Sequence, residues 1–312
     1  PAGASADAQD GDLVAVETFR APRLGLPTGR VVERLGSLKS ERAVSLIAIH
    51  AHGIPSVFRR DTQQEADAAT PATLAGREDW RHVPLVTIDP PDAKDHDDAV
   101  QAEPDTAPNN RGGFIVNVAI ADVAYYVRPG SALDREALTR GNSVYFPDRV
   151  VPMLPERISN DLCSLRPHED RAAIAVRMVI GADGRKRSHT FHRIMMRSAA
   201  RLAYQQAQLA IGGRIDEDTQ PLVEPVLRPL YAAYEVMKRA RAERQPLDLD
   251  LPERKILLKA DGTVDRVITP ERLEAHRLIE EFMILANVAA AETLERARVP
   301  LIYRVHDEPG IE

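Results

Sequence analysis

The segment Asp12-Leu-Val-Ala-Val-Glu-Thr-Phe19 alternates apolar and polar side chains with the period of two that a strand requires. A link containing proline and glycine follows, and Gly29-Arg-Val-Val-Glu-Arg-Leu35 repeats the alternation as a second strand. Two strands and a turn cannot bury enough surface to stand alone, so they read as the tail end of a small barrel. Val44, Ile47 and Ala48 share one face of a short helix over 40–51, stopped at Gly53. Residues 61–82 are polar and alanine-rich and read as a linker of loop and short helix. Apolar runs at 84–89, 114–122 and 173–180 predict buried strands, the first delivering Asp89 at its end. Asp134–Arg140 reads as helical. A helical period places Val226, Leu230, Ala233, Met237 and Ala240 on one face of 222–244. The same period places Leu278, Phe282, Leu285, Ala289 and Leu294 on one face of 270–298. The mixture of strands and helices, without repeats, predicts a mixed α/β (α+β) fold with a β-sheet core wrapped by helices.

Composition narrows the class without choosing a function. At 312 residues, 44% hydrophobic and 28% charged, the chain suits a soluble protein of one large domain or two. No apolar run approaches the roughly 18 residues of a membrane span, so no membrane partner is expected. There is no export signal pattern, and a chain that opens on Pro1 reads as processed or cut from something longer. A single cysteine, Cys163, excludes an internal disulfide and a cysteine-rich zinc site, and points to a reducing, cytoplasmic setting. The net charge of −6 argues against a nucleic-acid partner until its distribution is read. Arg185, Lys186, Arg187, Arg193, Arg197 and Arg201 follow one another with no intervening acid, so a basic groove can lie beside an acidic site. An ordinary exposed surface reads the same way.

That acidic site is Asp89-Pro-Pro-Asp-Ala-Lys-Asp-His-Asp-Asp98, with five carboxylates in ten residues directly after an apolar strand. Such crowding of like charge is costly unless a cation neutralises it. Oxygen ligands suit Mg²⁺, with Mn²⁺ as the alternative, and two such ions can clamp a phosphodiester during attack by water. Asp97 and Asp98, adjacent on an extended segment, point to opposite sides and can serve different ions. A solvated acidic loop is the bland alternative, and Pro90-Pro91 stiffens the turn against it. An EF-hand fails on Pro91, Ala93, Lys94 and Val100 at its ligand and glycine positions. A phosphatase of the Asp-x-Asp-x-Thr type fails on Pro91.

The run Val86-Thr-Ile-Asp-Pro-Pro-Asp-Ala-Lys-Asp-His-Asp-Asp-Ala-Val100 resembles the signature of the RNB catalytic domain shared by ribonucleases II and R. The resemblance continues in order through Val118–Val127, Asn142–Pro147, Val151–Glu156, Ser159–Leu165 and Leu278–Asn287, and is closer to ribonuclease R. It spans about residues 11–308. It implies the end of a cold-shock, OB-like RNA-binding domain at 1–60, a linker at 61–83 and the N-terminal two thirds of the catalytic domain at 84–312. It also implies processive 3′→5′ hydrolysis of single-stranded RNA to nucleoside 5′-monophosphates with Mg²⁺. By motif position Asp89, Asp95, Asp97 and Asp98 match the catalytic, metal-holding aspartates, and Asp92 does not. Tyr145 and Tyr204 match tyrosines near the RNA 3′ end, and one of Glu280 and Glu281 matches a glutamate there. Arg197 and Arg201 are RNA-contact candidates from the basic run. The family's catalytic domain continues past this chain to a Ser-Pro-Ile-Arg-type segment and a C-terminal RNA-binding barrel.

Blander roles stand beside these. Both tyrosines can be core aromatics, the paired glutamates a solvated helix face, Cys163 structural and His96 a loop residue. A catalytically incomplete or inactive RNA-binding protein of the same fold, a metal-dependent DNA nuclease and an acidic loop that binds a basic partner are the competing functions.

Overall fold

The computed structural model describes residues 5–19, 28–37, 42–243, 253–260, 263–303 and 305. The link expected at 20–27 and the chain's last residues lie outside that set. Contacts divide the chain into two units, one of Pro1–Ala68, Val127–Glu156 and Leu249–Glu271, the other of Ala69–Tyr126, Arg157–Asp248 and Arg272–Glu312.

In the first unit β1 (Asp12–Phe19) and β2 (Thr28–Ser37) pair antiparallel, with Phe19 opposite Thr28. Helix α1 (Arg42–Ala51) follows, and its buried positions are Ser45 and Ile49, one turn apart. Val44 and Ile47 are exposed, so the face expected from their spacing is not the one that packs. Helix α2 (Arg60–Ala68) lies against α4 (Ala132–Arg140), where Thr62 Oγ1 donates to Glu136 Oε2 at 2.7 Å. Helix α4 is capped by Ser131, whose Oγ accepts from the Asp134 N–H. Two short ribbons complete the unit: β7 (Val144–Tyr145) with β8 (Val150–Val151), and β12 (Lys255–Leu258) with β13 (Val264–Ile268).

The second unit is built on a seven-stranded mixed sheet. Its strands in chain order are β3 (Glu78–Asp79), β4 (Val86–Asp89), β5 (Asp98–Pro104), β6 (Phe114–Ala121), β9 (Asp170–Ile180), β10 (Lys186–Arg197) and β11 (Ala200–Ala203). Their spatial order is β11-β4-β5-β6-β9-β10-β3. A short helix, α3 (Val123–Tyr126), follows β6. Val86, Ile88, Val100, Val116, Val118, Val176 and Met178 point from one face of the sheet into a common core. Helices α5 (Tyr204–Ile211), α6 (Arg228–Glu243) and α7 (Glu274–Arg296) close that core with Leu230, Tyr234, Leu278 and Phe282. The stripe expected along 222–244 is buried throughout, although Val226 sits in a π-helical turn ahead of α6. On α7 the stripe ends early, and Leu294 is 37% exposed.

The mixed α/β class expected from the pattern is the class observed. The short helix expected within 61–83 is α2, and β3, which was not expected, adds to the sheet parallel to β10. The polar composition of α2 hides its two buried positions, Thr62 and Ala66. By contacts, residues 127–156 and 249–271 belong with the first unit. No helix among the described residues is long and apolar enough to cross a membrane.

Candidate active site

The acidic loop is shaped by two neighbouring strands. Strand β4 runs fully buried to Asp89, where Ala203 of β11 is its parallel partner. The chain turns at Pro90, whose carbonyl accepts from the Ala93 N–H at 3.0 Å. It returns as β5, which begins at Asp98, opposite Ile120 of β6. Because β4 ends and antiparallel β5 starts at the same end of the sheet's strands, Asp89 and Asp98 meet there although nine positions separate them. The main chain pins the residues between. The Asp97 carbonyl accepts from Ala121 N–H at 2.9 Å, and the His96 carbonyl accepts from Leu165 N–H at 2.7 Å.

The carboxylates occupy unlike environments. Asp89 is 8% exposed, Asp98 is half-buried, and Asp95 and Asp97 keep open surface. Burial, then the charges of Asp89 and Asp97, pushes the Asp98 carboxyl up to about 7. Burial, followed by Asp95 and Asp89, raises Asp97 as well. Asp97 and Asp98 are therefore raised by neighbouring carboxylates as well as by burial, the electrostatic signature of a cluster that a cation would relieve. Among the described residues no three His, Cys, Asp or Glu side chains converge as a ready-made cage. The donor set nevertheless fits a hard divalent ion, being all oxygen, repeated and partly desolvated. Asp89 and Asp98 would hold it, with Asp97 and Asp95 beside them.

Tyr204 is the predicted aromatic that the fold brings to these aspartates. It opens α5 directly after Ala203, the partner of Asp89. Burial, then the charges of Asp89, Asp98 and Asp97, pushes its hydroxyl up to about 12. One ring face stacks on His276 of α7, with centroids 3.9 Å apart and planes at 19°. His276 was not singled out by the sequence, where a histidine in the first turn of a helix carries no motif. Tyr145 lies in the first unit on the β7–β8 ribbon and is 69% exposed.

The paired glutamates are not a solvated face. Glu281 is buried and ion-paired with Arg241, while Glu280 is shared between Arg241 at 3.3 Å and Arg272. Five of the six cations in the basic run are likewise committed to acids. Arg185 pairs with Glu243, Lys186 with Glu292 and Arg187 with Asp183; Arg193 joins Asp122 and Arg197 joins Asp170. The basic groove suggested by that run therefore reduces to Arg201. Arg201 lines a cavity of about 850 Å³ with Lys94, Arg166 and His168, and Glu217 and Asp218 on the same wall temper its charge. Cys163 is buried, its thiol pushed up to about 12 by burial and then by Asp122 and Asp97. His96, expected as a loop residue, is 3% exposed and contacts Asp89. Its neighbours in sequence are all polar, so nothing in the pattern announces that burial.

Comparison with known proteins places this arrangement. The RNB domain family matches residues 77–312, and the cold shock domain family matches residues 1–58. This chain belongs to the RNB domain family. The RNB match takes in the acidic loop, Tyr145, Tyr204 and both glutamates, and the cold shock match takes in β1 and β2. The chain is 42% identical to ribonuclease R of Vibrio parahaemolyticus over 98% of its length, covering 37% of that relative. It is 41% identical to ribonuclease R of Escherichia coli, covering 98% of this chain and 38% of that one. Mycoplasma genitalium RNase R in complex with ribose methylated single-stranded RNA superposes with a TM-score of 0.84 at 28% identity, over 91% of this chain and 44% of that one. The chain thus spans less than two fifths of the length of these two curated relatives.

Proposed function

We propose that this RNB chain carries the metal-holding half of a 3′→5′ exoribonuclease that hydrolyses single-stranded RNA processively to nucleoside 5′-monophosphates, in the cytoplasm. The observation that carries the reading is the meeting of Asp89 and Asp98 at one end of neighbouring strands, with Asp97 and Tyr204 coupled to them electrostatically. Two divalent ions, Mg²⁺ in this reading, would supply an activated water and neutralise charge on the phosphodiester. The chain's own residues divide the remaining work. Asp89, buried at a strand end, offers a fixed carboxylate. Asp98, its carboxyl pushed up to about 7, would give up its proton where a cation is held. Asp97, more exposed, is assigned to the second ion, and Asp95, exposed as well, completes the acidic surround.

Recognition in this reading rests on shape rather than base identity. Tyr204, stacked on His276, is assigned to a terminal base, and Tyr145, exposed in the first unit, is a further candidate for RNA contact. Glu280, less buried than Glu281, is the better candidate of the pair for a contact to the terminal nucleotide. Arg201 and Arg197 are assigned to phosphates, Arg197 only by exchanging Asp170 for RNA. The ribonuclease R relatives and the RNA-bound Mycoplasma structure support this substrate class.

The test is degradation of a 5′-labelled single-stranded RNA with Mg²⁺ by this protein and its Asp97→Asn variant. A ladder descending from the 3′ end, lost in Asp97→Asn by at least about a hundredfold, is expected. Equal cleavage by the two proteins overturns the assignment, and equal loss of a matched DNA oligonucleotide overturns the RNA preference.

A further inference from the structure

His96 stands between Asp95 and Asp97, yet it is 3% exposed. Its Nδ1 lies 2.8 Å from Asp89 Oδ2, where the ring nitrogen donates to the carboxylate. The backbone holds His96 on both sides. Its N–H donates to Ser164 Oγ at 3.2 Å, and its carbonyl accepts from Leu165 N–H at 2.7 Å. Ser164 is fully buried, and its own carbonyl accepts from Arg171 Nε at 2.9 Å. The backbone is anchored on both sides, and burial leaves the ring little room to turn away from its acceptor.

The consequence falls on Asp89. The terminal torsion of an aspartate is broad, so an unrestrained carboxylate presents either oxygen at many angles. A fixed donor on Oδ2 sets the carboxylate plane and leaves Oδ1 to face a cation. Outer hydrogen bonds of this kind change metal affinity by about ten- to a hundredfold when they are removed. We infer that His96 is a positioning residue that orients Asp89 for divalent-metal binding, an inference that rests on the metal-dependent reading above.

The experiment measures Mn²⁺ binding by the protein at fixed pH, from the electron paramagnetic resonance signal of free Mn²⁺, together with Tm in EDTA. His96→Leu fills much of the ring's volume without a donor and should weaken binding by about tenfold or more. His96→Asn can place an amide N–H near the position of Nδ1 and should stay within about threefold of the unsubstituted protein. Unchanged affinity in His96→Leu overturns the inference. Equal losses in the two variants overturn it too, because packing would then explain the effect. If His96→Leu does not fold, Ser164→Ala carries the test: weaker Mn²⁺ binding with Tm in EDTA unchanged supports positioning, and unchanged binding overturns it. Failure of the unsubstituted protein to bind Mn²⁺ overturns the metal reading itself, an outcome separate from a failure confined to the variants.

Discussion

A carboxyl group crowded by other carboxylates keeps its proton into a pH range where a solvated one has lost it. Asp98 does so to about pH 7, because of burial first and then Asp89 and Asp97, against an ordinary value of 3.8. The sign for stability follows from which state binds the proton more tightly. Between about pH 4 and 7 the folded protein holds a proton that the unfolded chain releases. The contribution of Asp98 is therefore most favourable below pH 4 and declines as pH rises towards 7. Without divalent metal, Tm should fall across that window. Asp98→Asn removes the titration and should raise stability at pH 8 by about 1–2 kcal/mol, a direct conversion discounted for the water that reaches the group. Mg²⁺ should restore the unsubstituted protein at pH 8 and do little for the variant. A pH–Tm curve as steep in Asp98→Asn as in the unsubstituted protein would refute this account. The identity of Asp98 as a candidate was legible in the sequence as one of five clustered acids. Its unequal protonation was not, because that depends on which carboxylate the strand register buries.

Among the elements, β9 and β10 join in a tight hairpin whose turn lies under α6. Gly184 holds φ +75° there, and a Cβ on it would sit 2.3 Å from the Val236 carbonyl oxygen and 2.7 Å from Ala240 Cβ. The position needs glycine both for its backbone and for its room. Gly184→Ala should destabilise the protein by at least about 2 kcal/mol in urea unfolding, with little change in m. A cost below about 0.5 kcal/mol would mean that the hairpin can lift off α6 freely. The same hairpin shows where pattern reading stops. Strand β9 and helix α6 were legible because apolar runs and a 3.6 period survive in Ala173–Ile180 and in Leu230, Ala233 and Met237. Strand β10 was not, because its first seven residues carry Lys186, Arg187, His189 and His192, which read as surface. Lys186 and His189 are held by Glu292 and Thr293 of α7, and His192 by Glu78 of β3, partners about 100 residues away. Two-residue strands such as β3 and β7 are too short for any period to mark. His96 escaped for a related reason: its acceptor, Asp89, is close in sequence, but Ser164, which fixes its backbone, is not.

At the scale of the whole molecule the question is how a chain of net charge −6 would hold a polyanion. Affinity for nucleic acid normally comes from releasing counterions as cations meet phosphates, and each such contact steepens the salt dependence. Here Arg185, Lys186, Arg187, Arg193 and Arg197 already face carboxylates, so their charge is answered within the protein. Freeing any of them for RNA gives up an ion pair, although Asp122 would keep Arg77 and Asp170 would keep Arg81. Arg201 and Lys94 are the cations beside the acidic loop for which no ion pair occurs among the described residues. Binding by this chain should therefore lean on stacking and on the metal site, with few phosphate contacts. Fluorescence anisotropy with a single-stranded RNA, between about 50 and 300 mM KCl, should give a slope of log K on log[salt] shallower than about −2. Arg201→Ala should flatten it by about 0.7, the value of one phosphate on a single strand. A slope steeper than about −4 would show that the committed arginines open onto the RNA, and the ion pairs along β10 would then be the resting form of a phosphate track.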